Sequence, residues 1–555
     1  MINKKNIFLA HKFNILILIA LLIFSSFLDI FSLMTIPIFF GGILENDTFL
    51  KNIGLDFVIS KLNIKNNNLL YLSLLVFLAF LLKNIFQYLT LHFESNFIKK
   101  IRIYLNSNLY KKYISLRFDD FKKKKSQIII NNLTSEVNTL CTSLHVYIIL
   151  FREFFLIILL FLTLIYTDYK ITFIIIFFIT FFVSIFIFFT KKKLLLFGKE
   201  AKNSRTKKLN MINILIGSYR EIKILSLKNF FWKKFNNHLY EEEQRKFYLE
   251  IISKLPKIYL EILSILAILF AFYYFNNQGL NTSELLPVIS FFVIVFARSI
   301  PLANSVSFLL SKLKYNKVSE QTIISELNEE EDMEKFNLDC PEFNKLQVKN
   351  LNYSINGKKI LKDINIEINK GDIIGIKGKT GSGKSTLLEI MCGLREKQNG
   401  EVIFNQNIKN TKLFRYNNLI GYLPQEIFLI QGSLKENIAL GENNDQISLK
   451  KLEWSMNIAQ LNDFYNGNRM KLDDLVDEKG MNLSGGEKQR IGLARVFYFK
   501  PKIIILDEPT SSLDKITAKK FEEIILDAKD FTFIISSHSD QTLNICDKIF
   551  KLDEN

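Results

Sequence analysis

Two hydrophobic patterns divide this chain of 555 residues. Segments 13–44, 69–92, 146–167, 171–190, 258–276 and 285–310 are long apolar runs, each supplying roughly the 20 residues that a helix needs to cross a bilayer. Between them, 93–145 and 191–257 are charged, keep helical character and are too long for ordinary loops, which predicts helices continuing the spans beyond the membrane. Asn328 to Cys340 is acidic (Glu329, Glu330, Glu331, Asp332), and Pro341 punctuates its end. Beyond it, short β-type runs alternate with helical ones: Leu346 to Val348, Ile364 to Ile368, Ile373 to Ile376, and Ile503 to Leu506, a continuous apolar run of the kind a buried parallel strand shows. The expected architecture is a membrane α-helical domain of six long transmembrane helices over 1–327, a linker over 328–340, and an α/β domain over 341–555.

Composition sharpens this division. Hydrophobic residues make up 49% of the chain, with 52 Phe, yet the formal net charge is +17. Residues 341–555 hold 31 Lys and Arg against 29 Asp and Glu, leaving 41 against 26 for the first 340, so the surplus lies with the apolar half. That distribution points to a membrane protein with basic cytoplasmic loops and away from a nucleic-acid partner. Lys122 to Lys125, Lys191 to Lys193, Lys207, Lys208, Lys233 and Lys234 all fall in alternate connections, on the amino-terminal side, which places both termini in the cytoplasm. The run from Phe13 to Leu44 is too long for a secretory signal and reads as a retained first span. Residues 45–67 fit either a short amphipathic helix at the outer interface or an ordered loop. Cys141, Cys340, Cys392 and Cys546 are scattered without metal-ligand spacing and read as free thiols.

The chemistry-bearing stretch is Gly378-Lys379-Thr380-Gly381-Ser382-Gly383-Lys384-Ser385-Thr386, which fits G-x-x-x-x-G-K-[ST] between a strand and a helix. Glycines there let successive N–H groups turn toward phosphate oxygens, and the adjoining helix adds its positive end. Lys384 is expected to reach the β- and γ-phosphates of ATP, and the Ser385 hydroxyl to hold Mg²⁺. Asp507 and Glu508 close the Ile503–Leu506 run, Asp507 as the metal-side carboxylate and Glu508 as the general base for the attacking water. The second half is thus expected to be a P-loop NTPase.

With Leu483-Ser484-Gly485-Gly486-Glu487-Lys488-Gln489-Arg490 upstream of that strand, the second half resembles the nucleotide-binding domain of an ABC transporter. The resemblance implies roles for further residues. Tyr353 is the aromatic that stacks on adenine, Gln425 is the Q-loop residue that contacts metal and water, Asp514 closes the D-loop, and His538 is the switch histidine. Ser484, Gly485, Gly486 and Glu487 close on ATP bound to another copy. Six spans before one such domain are similar to exporter half-transporters, which implies a homodimer or a pair with a similar partner, and coupling helices near 117–124 and 224–231. Asp477-Glu478-Lys479-Gly480 departs from the exporters' Gly-Glu-Arg-Gly at its first and third positions. Gly217 to Leu225 and Ala297-Arg298-Ser299-Ile300-Pro301 resemble stretches of the lipid-linked oligosaccharide flippases.

Ionisable residues inside spans are costly and call for a function. Asp29, Lys83, Glu261 and Arg298 qualify, with Lys257 and the Arg152-Glu153 pair nearer a boundary. Lys83, Lys257 and Arg298 in one cavity would suit an anionic head group; the alternative is snorkelling, or pairing with an acid within the bundle. Three functions fit: an ATP-driven flippase of an anionic glycolipid in a bacterial inner membrane, an exporter of drugs, lipid or peptide on the same scaffold, and an ATP-gated channel or regulator.

Overall fold

The computed structural model describes residues 12–43, 69–167, 169–277, 282–328 and 342–552, the last with interruptions at 356, 406–407, 410–412, 414–415, 417, 462–470, 477–482 and 512. The 45–67 segment, the linker apart from Asn328, and Asp477 to Gly480 lie outside the described residues. The chain divides into two compact units, one of Met1–Ile114 with Lys123–Glu331 and one of Ser115–Lys122 with Asp332–Asn555.

The first unit is helical. Its long helices are α1 (Lys12–Ile43), α2 (Leu69–Ser115), then, after the short α3 (Phe118–Lys123) and α4 (Ser126–Asn131), α5 (Val137–Thr167), α6 (Tyr169–Gly217), and, after α7 (Tyr219–Ile224), α8 (Lys228–Asn277) and α9 (Thr282–Asn328). The described residues of each expected span lie in a helix of their own, Leu44 being outside them, and the charged stretches do continue as helix: α2 runs 23 residues past position 92. Among the described residues, Lys12–Ile36, Leu70–Ser115 and Ser126–Thr163 are long and apolar enough to cross a membrane. A π-type turn over Asn132–Glu136 joins α4 to α5, with the Asn131 amide donating to buried Glu136 (2.8 Å) and Asn132 to the Tyr113 hydroxyl (2.8 Å).

Charge pairs organise the extensions. Glu242 of α8 is buried and takes Lys208 (2.6 Å) and Arg205 (3.3 Å) of α6, so its carboxylate is compensated across the helix pair. Gly198 of α6 lets that helix press on α9: a Cβ there would stand 2.0 Å from the Tyr315 carbonyl oxygen.

The second unit is α/β. Strands β1 (Lys345–Ile355), β2 (Lys358–Asn369), β4 (Asn399–Phe404) and β5 (Ile408–Lys409) form an antiparallel sheet in the order β2-β1-β4-β5. A parallel sheet runs β11-β3-β10-β9-β6, from β3 (Ile373–Lys377), β6 (Ile420–Leu423), β9 (Ile503–Asp507), β10 (Thr532–Ser537) and β11 (Lys548–Lys551). All five residues of β9 and all six of β10 are buried, which is why their sequences lack alternation. A small pair joins β7 (Gly432–Ser433) to β8 (Leu475–Val476). The helices of this unit are α10 (Lys384–Met391), α11 (Leu434–Ile438), α12 (Leu449–Ile458), α13 (Gly485–Tyr498), α14 (Lys515–Asp527) and α15 (Asp540–Leu543).

Candidate active site and transport cavity

Register builds the nucleotide site. In the parallel sheet β3 and β9 flank β10, with Ser537 opposite Lys377 and Ser536 opposite Asp507. The three strands therefore end together. The loop from Gly378, which leaves β3, gathers at that edge with Glu508 from the end of β9 and His538 from the end of β10. Such carboxyl ends are where open α/β sheets place ligands.

The Gly378–Gly383 loop leads into α10, whose amino end presents unpaired N–H groups. Gly381 (φ +86°) and Gly383 (φ +95°) adopt the left-handed conformation that the turn needs. Gly378 is required for space, since a Cβ there would lie 2.4 Å from Ser382 Oγ. That Ser382 hydroxyl is buried without a hydrogen-bond partner, an orphan that a phosphate oxygen would satisfy. Lys384, only 4% exposed, donates to the Gly378 carbonyl (2.7 Å) and lies 2.9 Å from Glu508 Oε1. Gln425 donates to Glu508 Oε2 (2.9 Å). Lys384, Glu508 and Gln425, separate in sequence, thus meet on one carboxylate.

Glu508 has a left-handed backbone (φ +47°), held because its N–H is shared between the Ser536 carbonyl (3.1 Å) and hydroxyl (3.0 Å). The same Ser536 hydroxyl donates to Asp507 (2.7 Å), and the Tyr422 hydroxyl donates to its other oxygen (3.2 Å). Burial first, and the Asp507 charge second, push the Tyr422 phenol far above its usual range, so it stays a donor. Periodicity and motif do not point to Ser536 or Tyr422; the one signal for Ser536 is a hydroxyl ending a fully buried strand.

His538 lies just beyond β10 with an exposed side chain, and Ser385 and Thr386 open α10, Ser385 exposed. Ser484 caps α13: its hydroxyl accepts from Glu487 N–H (3.3 Å) while the Glu487 carboxylate accepts from Ser484 N–H (2.7 Å). Glu487 is thereby committed to the cap, and the exposed backbone at Ser484 and Gly485 is the face the helix offers. Asp514 likewise caps α14, accepting from Ile516 and Thr517 N–H (3.0 Å each).

Tyr353 departs from its expected role. Its ring packs in the core at 8% exposure and its hydroxyl accepts from Arg395 (3.2 Å), so it has no face to offer a base; the exposed apolar side chain of β1 is Ile355, 37% exposed. Arg395 instead centres a docking site. It reaches Asp119 of α3 (2.9 Å) and Glu389 of α10 (2.8 Å), and Lys122 also reaches Glu389 (2.8 Å). Segment Ser115–Lys122, on the first of the two expected coupling stretches, thus belongs to the ATP-site unit. At the second stretch, Ile224, Leu225 and Phe230 are exposed.

In the helical unit, Asp29 of α1 bridges Lys83 of α2 (2.6 Å) and Arg298 of α9 (2.8 Å). All three line a cavity of about 230 Å³ together with Arg152 and Glu153 of α5, themselves paired at 3.0 Å, and Gln87, Thr90 and Ser305. Lys257 is exposed and does not line it. The structure therefore unites two of the three expected cations, adds Arg152, and gives each an acidic neighbour.

The profile of the ABC transporter transmembrane region matches residues 17–299, more than half of the chain, and that of the ABC transporter ATP-binding domain matches 361–511. This chain belongs to the ABC transporters. A Haemophilus influenzae relative, named as an ABC transporter ATP-binding/permease protein, is 30% identical over 253 residues, 45% of this chain and 46% of its own. The match thus spans about half of that relative's length. A Rickettsia typhi relative, named as an export ATP-binding/permease protein, is 24% identical over 508 residues, covering 88% of this chain and 85% of its own. The solved structure of a bacterial Atm1-family ABC exporter with ATP bound superposes with a TM-score of 0.77 at 16% identity, over 98% of this chain and 94% of that one, and so shares the fold. In this chain the membrane region precedes the ATP-binding domain, the order of an exporter-type half-transporter, and the activity of the ABC transporter family is ATP hydrolysis coupled to transport.

Proposed function

We propose that this ABC transporter is an ATP-driven exporter that moves an anionic amphiphile, a lipid-linked oligosaccharide or similar glycolipid, across a bacterial inner membrane with both termini in the cytoplasm. The observation that carries the cargo reading is the convergence of Lys83, Arg152 and Arg298 on one cavity inside the helical unit. Three cations against Asp29 and Glu153 leave the cavity with net positive charge, and a phosphate or carboxylate can take over hydrogen bonds that Asp29 now makes.

At the nucleotide site, Lys384 and the N–H groups from Gly381 to Thr386, with Lys379 and Thr380 at the mouth of the loop, hold the triphosphate. Lys384 exchanges its Glu508 contact for phosphate oxygens. The released Glu508 carboxylate accepts a proton from water as the water oxygen bonds the γ-phosphorus and the bond to the β-phosphate oxygen breaks. Gln425 and His538 position that water. Mg²⁺ would neutralise phosphate charge; the Ser385 hydroxyl, Gln425 carbonyl and Asp507 carboxylate are the oxygen donors such a hard cation takes, and a site relying on few protein carboxylates suits it. The second wall of the site is Ser484, Gly485 and Gly486 of another copy, with Asp514 beside it, so the working form is a homodimer.

A second reading, export of a drug-like or zwitterionic amphiphile, is favoured by the acids already paired to each cation in the cavity. Purified protein in liposomes, assayed for translocation against lipid-linked sugars, phospholipids and cationic drugs, decides between them. Preferential movement of anionic glycolipid, lost in Arg298→Ala, is the expected result. Equal movement of neutral or cationic cargo by both proteins overturns the anionic reading, and cargo that fails to stimulate ATP hydrolysis overturns transport in favour of a regulator.

A further inference from the structure

A second cavity lies along three of the four helices that line the charged one. It is an apolar slot of about 210 Å³ among Leu18 and Leu22 of α1, Phe97 and Ile101 of α2, and Ile148 and Phe151 of α5. On α5 the boundary is a single peptide bond: Phe151 lines the slot and Arg152 the charged cavity. On α1, Leu22 and Asp29 are seven residues apart, about 10 Å of helix. On α2, Phe97 stands 14 residues beyond Lys83, about 21 Å toward the Ser115 end.

We infer that the two cavities form one bipartite cargo site, the charged one for the head group and the slot for a single hydrocarbon chain. This rests on the anionic-amphiphile reading and narrows it to a cargo in which one chain joins directly to a small acidic group. What commits the slot to that occupant is its nearness to the cation cluster, Phe151 and Arg152 being consecutive on α5: a chain attached to an anion held by Lys83, Arg152 and Arg298 has this apolar wall within reach. Asp29 is then the resident counter-ion. It occupies Lys83 and Arg298 until the head group displaces it; with Glu153 beside Arg152 the site carries one net positive charge when empty of cargo, which a singly charged anion neutralises.

The geometry also sets the polarity of the bound molecule. The slot lies nearer than the head-group cavity to the Ser115 end of α2, the end that the loop cations assign to the cytoplasm. A cargo lying with its head deeper than its chain has the orientation of the outer leaflet, so the site holds the molecule after it has turned over. Because lipid tails are as apolar as the slot, the chain gains packing and not transfer free energy, and recognition of its position is the readout to seek.

The probe is dodecyl phosphate carrying a diazirine at its chain end, with dodecyl glucoside bearing the same group as the neutral control, photolysed on the full-length protein in nanodiscs and mapped by mass spectrometry. Labels are expected in peptides containing 15–22, 97–101 and 144–151 with the phosphate and not with the glucoside. Leu22→Trp, and independently Ile148→Trp on another helix, fill the slot and abolish those labels, whereas butyl phosphate, too short to need the slot, still stimulates ATP hydrolysis in them and so reports a folded head-group cavity. Phosphate-specific stimulation with labels elsewhere overturns the slot while sparing the anionic reading. Equal labelling of the slot by the glucoside shows bulk lipid and overturns the bipartite site, and equal stimulation by both probes overturns the anionic reading itself.

Discussion

Arg395→Ala should loosen the docked segment Ser115–Lys122 by a measurable factor. Arg395 is 12% exposed and is shared by Asp119 (30% exposed) and Glu389 (11% exposed). Burial alone would lower its pKa, but the Tyr353 hydroxyl and the Glu389 and Asp119 carboxylates outweigh burial and hold the guanidinium charged. Deleting the cation leaves Glu389 with Lys122, whose side chain is 52% exposed. The loss falls between that of a surface pair and that of a broken buried pair, about 2 kcal/mol, which is about a 30-fold rise in the open fraction of the segment. Hydrogen exchange of amides between Phe118 and Phe121 reads that fraction directly. Arg117→Ala is the internal control: its pair with Glu396 spans 3.5 Å between side chains 40% and 56% exposed, so exchange should change by less than about threefold. Equal exchange rates in the two variants, or unchanged protection in Arg395→Ala, would refute the assignment of Arg395 as the centre of the docking site.

Other perturbations bear on the site and the fold. Glu508→Gln should keep ATP binding, measured with a fluorescent analogue, while phosphate release falls at least about 100-fold; turnover at the parent rate removes Glu508 from its role. Gly198→Ala forces α6 and α9 apart and should cost about 1–3 kcal/mol, read as a lower Tm in detergent, and an unchanged Tm would mean that the helices can part freely. Burial raises the Cys392 and Cys546 thiols from 9.0 to about 12. Native protein at pH 8 should therefore react slowly with maleimide at both. Since the fold raises these pKa values, their contribution to stability is complete below pH 9 and is lost as pH climbs toward 12. Rapid native labelling of Cys392 at pH 8 would contradict its burial.

The order of elements is legible from periodicity alone. Unbroken apolar runs can be satisfied only inside a bilayer or a buried sheet, and their lengths separate spans such as 13–44 from strands such as Ile503–Leu506. The phosphate loop is equally plain, because its glycines answer a local backbone demand visible at Gly381 and Gly383. Whatever depends on partners distant in the chain is decided by the fold. Tyr353 reads as a base-stacking aromatic because sequence does not reveal which side of a bulged strand faces the core; packing turns it inward against Arg395. Lys83 and Arg298 carry the same charge on paper, and only helix packing shows that both meet Asp29 while Lys257 stays outside. Local chemistry is written along the chain, but electrostatic pairing falls off within a few ångströms, so which charges meet is decided by tertiary contact.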